Sequence, residues 1–379
     1  MRNAERERLE RLVAWRPPYG VISAFFDIDR ADRSDAWRVE LKDGLSALQE
    51  PDDHEGKLAL RETVQRVMER FDPDTEPPPG RAQVGLVEVA REEGTEDWTS
   101  LQIRQPETVI GHAPRPLLRP LIELIKRGRP HPVLAVSAER VRGWIWNRGR
   151  LEGESRWDAE LSIYPGRERK APAIADPARG HATSSSGRDQ FGQRLEENRK
   201  RFLEDFARLL NEDERVRGAD LIAIGEAPYL DEFAAGLPSS VQARLLEGAD
   251  VINEPDEAIA ERVGPEIERV LAEREAELVS RAIDATMANG GNGAAGVNEV
   301  SEALLEGRVE HLLLDAQQQF ALDDLSPLAR DSVDDVGQLD GAELMIELAI
   351  RTSAEVTSVR AEAAEALRQH GGAAALLRY

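Results

Sequence analysis

The chain contains no cysteine, which excludes disulfides, thiolate catalysis and every cysteine-ligated metal site. Its six histidines, His54, His112, His131, His181, His311 and His370, are scattered, with no pair at a helical or strand spacing that binds zinc. No metal or other cofactor is therefore expected. Lysine is scarce, five residues against 44 arginines, and none of the five is followed by Ser or Thr. That rules out a Walker A loop, and the Gly-x-Ser-x-Gly elbow and His-Glu-x-x-His are missing too. No apolar run approaches the roughly 18 residues of a membrane helix. The opening residues, MRNAERERLERLVAW, have the pattern of a charged amphipathic helix rather than a signal peptide, so a cytoplasmic protein is expected.

Acid is what the chain has in excess. A net charge of −23 argues against general coating of nucleic acid, because phosphate contacts need local positive charge. The charge is unevenly spread, however. From Arg167 to Arg201 nine basic residues stand against five acidic ones. This basic region surrounds Thr183 to Leu210, TSSSGRDQFGQRLEENRKRFLEDFARLL. A small, flexible stretch with Gly187, Gln190, Gly192 and Gln193 runs directly into an amphipathic helix expected to give Leu195, Phe202, Phe206 and Leu209 to a core. It reads as a loop on a stalk. Ser184, Ser185, Ser186 and Asp189 are all suitable caps, so the motif is either a mobile tip or the first helical turn. Arg194, Arg201 and Arg208 recur every seven residues along the helix. They either face phosphate or are balanced by the i, i+4 pairs Glu197 to Arg201 and Glu204 to Arg208.

At 379 residues there is room for two or three domains. In the first third, a helix over residues 1 to 14 precedes Val21 to Ile28, an apolar, β-branched and aromatic run that predicts a strand buried on both faces. Helices follow around Ser34 to Gln49 and Glu55 to Phe71, then strands at Gln83 to Val89 and Trp98 to Ile103. Asp27 and Asp29 fit a turn better than a cation site. A helix over Pro114 to Arg127 opens the second region. Three antiparallel strands are predicted within Pro132 to Trp157, turning near Glu139 and Asn147 to Arg150. A loop of about 25 residues from 165 to 190, the stalk, a strand at Ala219 to Gly225 and a helix from Pro228 complete a three-layer α/β domain.

A long helix is predicted from Asp256 to Met287, followed by a glycine-rich tip. Gly291 to Gly296 formally matches a dinucleotide fingerprint, but a helix rather than a strand precedes it, which rejects that reading. Helices at Val300 to Glu306, Ala342 to Arg351 and Ala361 to Arg368 then alternate with strands at Val309 to Leu314, Glu355 to Val359 and the C-terminus, a second α/β sandwich. The expected class is multidomain α/β, with domains 1–112, 113–255 and 256–379.

Four segments in order carry a resemblance. Phe191-Gly192-Gln193-Arg194 leads into the basic helix, and GADLIAIGEAPYLDEFAAGLPSSVQARLL, VNEVSEALLEGRVEHLLLD and GGAAALLRY follow. From about residue 115 to the end, the chain resembles the central and C-terminal domains of the archaeo-eukaryotic class-1 release factor and Pelota superfamily, in particular its bacterial branch with the Vms-like release factors. The resemblance implies an RNase H-like central three-layer domain and an L7Ae-like C-terminal α/β/α sandwich. It implies entry into the ribosomal A site, with rRNA and peptidyl-tRNA as partners and a translational GTPase as a further one.

In that setting Gln193 would orient water and stabilise charge at the peptidyl-tRNA ester, and Gly192 would permit the backbone geometry. Gln190 is the rival glutamine. Arg188, Arg194, Arg199, Lys200 and Arg201 would meet RNA phosphates. Two departures bear on the role. Phe191 stands where the family has the first glycine of Gly-Gly-Gln, and the N-terminal region lacks stop-codon-reading motifs. The resemblance therefore implies either a peptidyl-tRNA hydrolase acting in ribosome rescue or a non-hydrolytic A-site binder that protects idle ribosomes.

Overall fold

Val21–Asp27 is buried along nearly its whole length, as an unbroken apolar run without alternation requires. The computed structural model describes residues 3–28, 36–72, 80–101, 103, 107–147, 149–161, 184–287, 291–332 and 340–379, and for 3–4 and 184–192 the backbone alone. Asp29 lies outside the described residues. The first elements are α1 (Asn3–Ala14), β1 (Val21–Asp27), α2 (Ala36–Ser46), α3 (His54–Arg70), β2 (Ala82–Glu88), β3 (Glu96–Leu101), β4 (Val109–Ala113) and α4 (Arg119–Arg127). The strands form an antiparallel sheet in the order β3-β2-β1-β4. On one face of β1, Ile22, Ala24 and Phe26 join Trp37, Leu41, Leu60 and Val67 of α2 and α3 in one cluster. Phe26 stacks on Trp37 at 5.9 Å and meets Phe71 edge-on at 5.4 Å. The sequence did not announce β4, a short, half-exposed edge that runs across the expected boundary at 112.

The next stretch contains β5 (His131–Val136), β6 (Arg140–Asn147), β7 (Arg150–Gly153), β8 (Ala159–Glu160), α5 (Ser184–Leu210), β9 (Asp220–Gly225), α6 (Ala227–Gly236), β10 (Gln242–Glu247) and α7 (Asp256–Met287). The sheet order is β10-β9-β5-β6-β7, with β8 on β6. β5, β9 and β10 are mutually parallel, whereas β6 is antiparallel to β5 and β7. Leaving out the two-residue β8 and numbering from β5, the order is 5-4-1-2-3, the expected RNase H-like arrangement. On one face Leu134, Val136, Leu221 and Ala223 pack with α5 and α6. Val133, Ala135, Ile222 and Ile224, on the other face, are buried as well. Gly143 leaves the space that Trp157 fills, since a Cβ there would collide with it. The Trp157 indole N–H donates to Asp213 at 3.1 Å, and Arg215 lies over its ring. Hydrogen bonds from Arg215 hold the Asp213 carboxyl down at about 2.

The last stretch adds β11 (Gly293–Ala295), α8 (Val297–Leu305), β12 (Val309–Asp315), α9 (Pro327–Asp331), α10 (Gly341–Arg351), β13 (Glu355–Val359), α11 (Ala361–Arg368) and β14 (Ala373–Leu377). Its sheet has the order β11-β14-β12-β13. Leu313 and Ala374 meet Val279 and Ala282 of α7 and Ala363, Ala364 and Leu367 of α11. The opposite face meets α8 and α10, which gives the expected L7Ae-like sandwich.

Residues 1–128 and 268–379 form one compact unit, and 129–267 form the other. The reason is α10. It is buried at every position from Gly341 to Ile350, so it needs cover on all sides. Leu9, Leu12 and Val13 of α1, Phe25, Leu86, and Leu118 and Leu121 of α4 share its core.

Two acids on α10 fasten this core. Glu347, with a side chain only 2% exposed, pairs with Arg16 at 2.9 Å, with Arg351 at 2.6 Å and with Arg115. Glu343 accepts from the backbone N–H groups of Leu118 and Arg119 at 2.7 and 3.0 Å. The start of α4 has no side-chain cap of its own, so Glu343 supplies the missing acceptor. Asp340 caps α10 and also binds Arg119 at 3.0 Å.

Burial pushes the Glu343 carboxyl up from 4.5 to about 7, outweighing its two N–H partners. Because the folded value lies above the unfolded one, this group's contribution to stability is full below pH 4.5 and lost as pH rises through about 7. At about 1.4 kcal/mol per unit the loss is about 3 kcal/mol. Urea denaturation of wild type and Glu343→Gln at pH 5 and pH 8 should show the variant less pH-sensitive by about that amount. Equal pH dependence in the two proteins would count against it.

Candidate functional site

Helix α5 has 27 residues and is about 40 Å long, and among its described side chains the apolar anchor lies in the last turns, from Phe202 to Leu210. Leu203, Phe206, Ala207 and Leu210 are buried at the i, i+3, i+4, i+7 spacing of a packed face. Phe206 lies 6.4 Å from Phe233 of α6, and Gly236 lets the end of α6 close onto Glu204 and Ala207. The expected core set of Leu195, Phe202, Phe206 and Leu209 is therefore corrected. Leu195 and Phe202 are half-buried and Leu209 is 55% exposed. At 3.6 residues per turn, Leu209 stands about 110° from the centre of the buried face. Phe206 belongs to both patterns, which is why the sequence alone did not separate them.

The helix begins at Ser184, so Gly187 to Gln193 are helical. Of the two readings open at that point, tip or helical turn, the backbone adopts the helical one. Gln193 and Arg194 are exposed, and no residue from Gln193 to Phe202 is buried. Gln193 stands ten residues, about 15 Å, beyond Leu203. The side chains of Arg188 and Gln190 lie outside the described part, as do residues 162–183, which hold most of the predicted loop. An interior helical N–H is bonded within the helix, so the side-chain amide is the donor that Gln193 can offer.

The basic residues divide into two groups. Arg194 and Arg201 are exposed and form no ion pair among the described residues. Lys200 reaches Glu204 at 4.0 Å. Arg208 binds Asp205 at 2.8 Å and Glu204 at 3.4 Å, so the expected Glu204 pair forms while Glu197 to Arg201 does not. Arg199, expected to meet phosphate, is instead paired with Glu139 in the turn between β5 and β6. Sequence reasoning saw Glu139 only as a turn residue. Nothing in a local pattern links positions 60 residues apart.

Among the described residues no three His, Asp or Glu side chains converge to hold a metal ion. No described helix is long and apolar enough to cross a membrane.

The corrected face gives a direct test. Leu203→Ala should cost about 2–4 kcal/mol of stability, as for a buried leucine at a packed helix base. Leu209→Ala should cost no more than about 0.5 kcal/mol. Chemical denaturation of both variants measures this, and equal losses would restore the original assignment.

The family model described as bacterial archaeo-eukaryotic release factor family 10 matches residues 116–268. A search of curated proteins finds no match. Similar solved structures include the archaeal translation termination factor aRF1, at 19% identity over 100% of this chain and 99% of that one, with a TM-score of 0.26. Archaeoglobus fulgidus Pelota is 16% identical over 79% of each chain, with a TM-score of 0.39. A ribosome-bound archaeal Pelota is 16% identical over 99% of this chain and 94% of that one, with a TM-score of 0.44. The matched segment contains the whole central unit with its stalk, and over that segment the chain is similar to the bacterial archaeo-eukaryotic release factors.

Proposed function

We propose that this protein enters the ribosomal A site as a release-factor-type protein and hydrolyses the peptidyl-tRNA ester during rescue of stalled ribosomes. The observation that carries the reading is Gln193, exposed on a helix whose apolar anchor lies at its base, inside the segment that matches the release factor family. Ester hydrolysis needs a positioned water and a donor aimed at the developing oxyanion, and a side-chain amide supplies such a donor. Loss of one such group typically costs about 10²–10³ in rate. Arg194 and Arg201, exposed near that glutamine, suit contacts to rRNA or tRNA phosphates. A translational GTPase as delivery partner and a cytoplasmic location belong to the same reading.

A second reading, a non-hydrolytic A-site occupant that protects idle ribosomes, is favoured by one specific observation. The helix runs unbroken through Phe191, Gly192 and Gln193. That leaves the glutamine N–H in the helix ladder and puts a Cβ-bearing aromatic where a more permissive glycine would stand.

Single-turnover release of labelled peptide from stalled ribosomes distinguishes the two. Wild type should release peptide, Gln193→Ala should slow release about 100-fold, and Gln190→Ala should release normally. Binding without release selects the idle-ribosome reading. In either case the Arg194→Glu, Arg201→Glu double variant should bind ribosomes more weakly, with a salt slope reduced by about 2. Salt-independent binding by wild type, or none, would sink both readings.

A further inference from the structure

Among the described side chains the stalk is anchored by apolar contacts from Phe202 onward, yet it does not run free from there. One turn toward the tip, the Arg199 guanidinium pairs with the Glu139 carboxylate. Its side chain is 27% exposed, its Nε is buried, and the remaining turns to Gln193 have no other ion pair to the sheet among the described residues. Glu139 is itself fixed. Its turn is closed by Ser137 N–H to Arg140 O at 2.9 Å, by the Ser137 hydroxyl to the same oxygen at 2.9 Å, and by Arg140 N–H to the Ser137 hydroxyl at 3.1 Å. The Glu139 carbonyl accepts from Leu161 at 2.6 Å, and Arg140 pairs with Glu160 across β6 and β8.

We infer that Arg199 and Glu139 are positioning residues that brace the stalk and set where its Gln193 end points. The functional weight of this inference rests on Gln193 being the working end. With the brace, the last fixed point is Arg199, six residues or about 9 Å from Gln193; without it, the last fixed point is Phe202, nine residues or about 13.5 Å away. The same angular play at the base then moves the tip about one and a half times as far. Arg199 is thus removed from the set of phosphate-binding residues and given a structural task that reaches the site through the helix.

The absence of cysteine makes the test clean, because introduced thiols are unique labelling sites. Nitroxides at Glu196→Cys on the stalk and Arg150→Cys on β7 report on the stalk against the sheet, since β6 separates its two ends by about 25 Å. Pulsed dipolar spectroscopy should give a narrow distance distribution in the otherwise wild-type protein. Arg199→Ala and Glu139→Arg should each broaden it about twofold, since Glu196 lies three residues from Arg199 but six from Phe202. The exchange Glu139→Arg with Arg199→Glu should narrow it again, which a merely destabilised fold would not do. Circular dichroism melting of each variant confirms that the unit is folded during the measurement. An unchanged width in both single variants, or an exchange that stays broad, overturns the inference. The distance measurement needs no ribosome, so it decides the bracing even if wild-type protein releases no peptide.

Discussion

A helix buried at one end and bare at the other is a cantilever, and the candidate site hangs on how α5 is held at its base. Four side chains, Leu203, Phe206, Ala207 and Leu210, carry that attachment. They meet a sheet whose parallel core strands, β5 and β9, bury residues on both faces, so the support is stiff where the load is applied. From Gln193 to Arg201 no residue is buried, and order there depends on backbone hydrogen bonds and on charge pairs, Arg199 with Glu139 among them. Gly187 and Gly192 each cost such a segment about 1 kcal/mol relative to alanine. The free half is therefore the place where the least energy would change the backbone, and it is also where the glutamines are.

The other compact unit solves a different problem. Helix α10 is apolar over most of its surface but carries Glu343 and Glu347 one turn apart, both buried. A buried carboxylate is tolerated only if its oxygens are satisfied. Glu347 achieves this with three arginines drawn from α10 itself and from the N-terminal 128 residues. Glu343 achieves it by serving as the missing acceptor at the start of α4. The N- and C-terminal parts of the chain are thus joined by apolar packing and by two acids that would each be left unsatisfied if the parts separated. Replacing either acid leaves N–H groups or guanidinium groups without partners, whereas a surface pair would simply find water.

The sequence was most informative where a single local pattern determines the outcome. The run VISAFFD can only be a strand covered on both faces, and the alternation from Pro132 to Trp157 with turns at Glu139 and Asn147 was enough to place β5, β6 and β7. The stalk helix was legible too, and so was its resemblance to the release factors. What stayed hidden depends on partners distant in the chain. The short strands β4, β10 and β11 are defined by the neighbours they pair with rather than by their own composition. The joint core of residues 1–128 and 268–379 has no local signature at all. At the site, the periodicity of α5 allowed two overlapping apolar faces, and only the position of the sheet chose between them. Glu139 was invisible as a brace for the same reason.

Charge adds a constraint that packing does not. A chain of net −23 is repelled by the phosphate backbone of any RNA unless it approaches through a locally positive feature. Arg208 is neutralised by Glu204 and Asp205, and Arg199 by Glu139, so these arginines do not provide that feature. Arg194 and Arg201, on the part of the stalk beyond the buried base, remain without ion pairs among the described residues. The stalk therefore presents locally positive groups on an otherwise acidic chain. Such a charge distribution biases the orientation of an encounter with RNA before any specific contact forms.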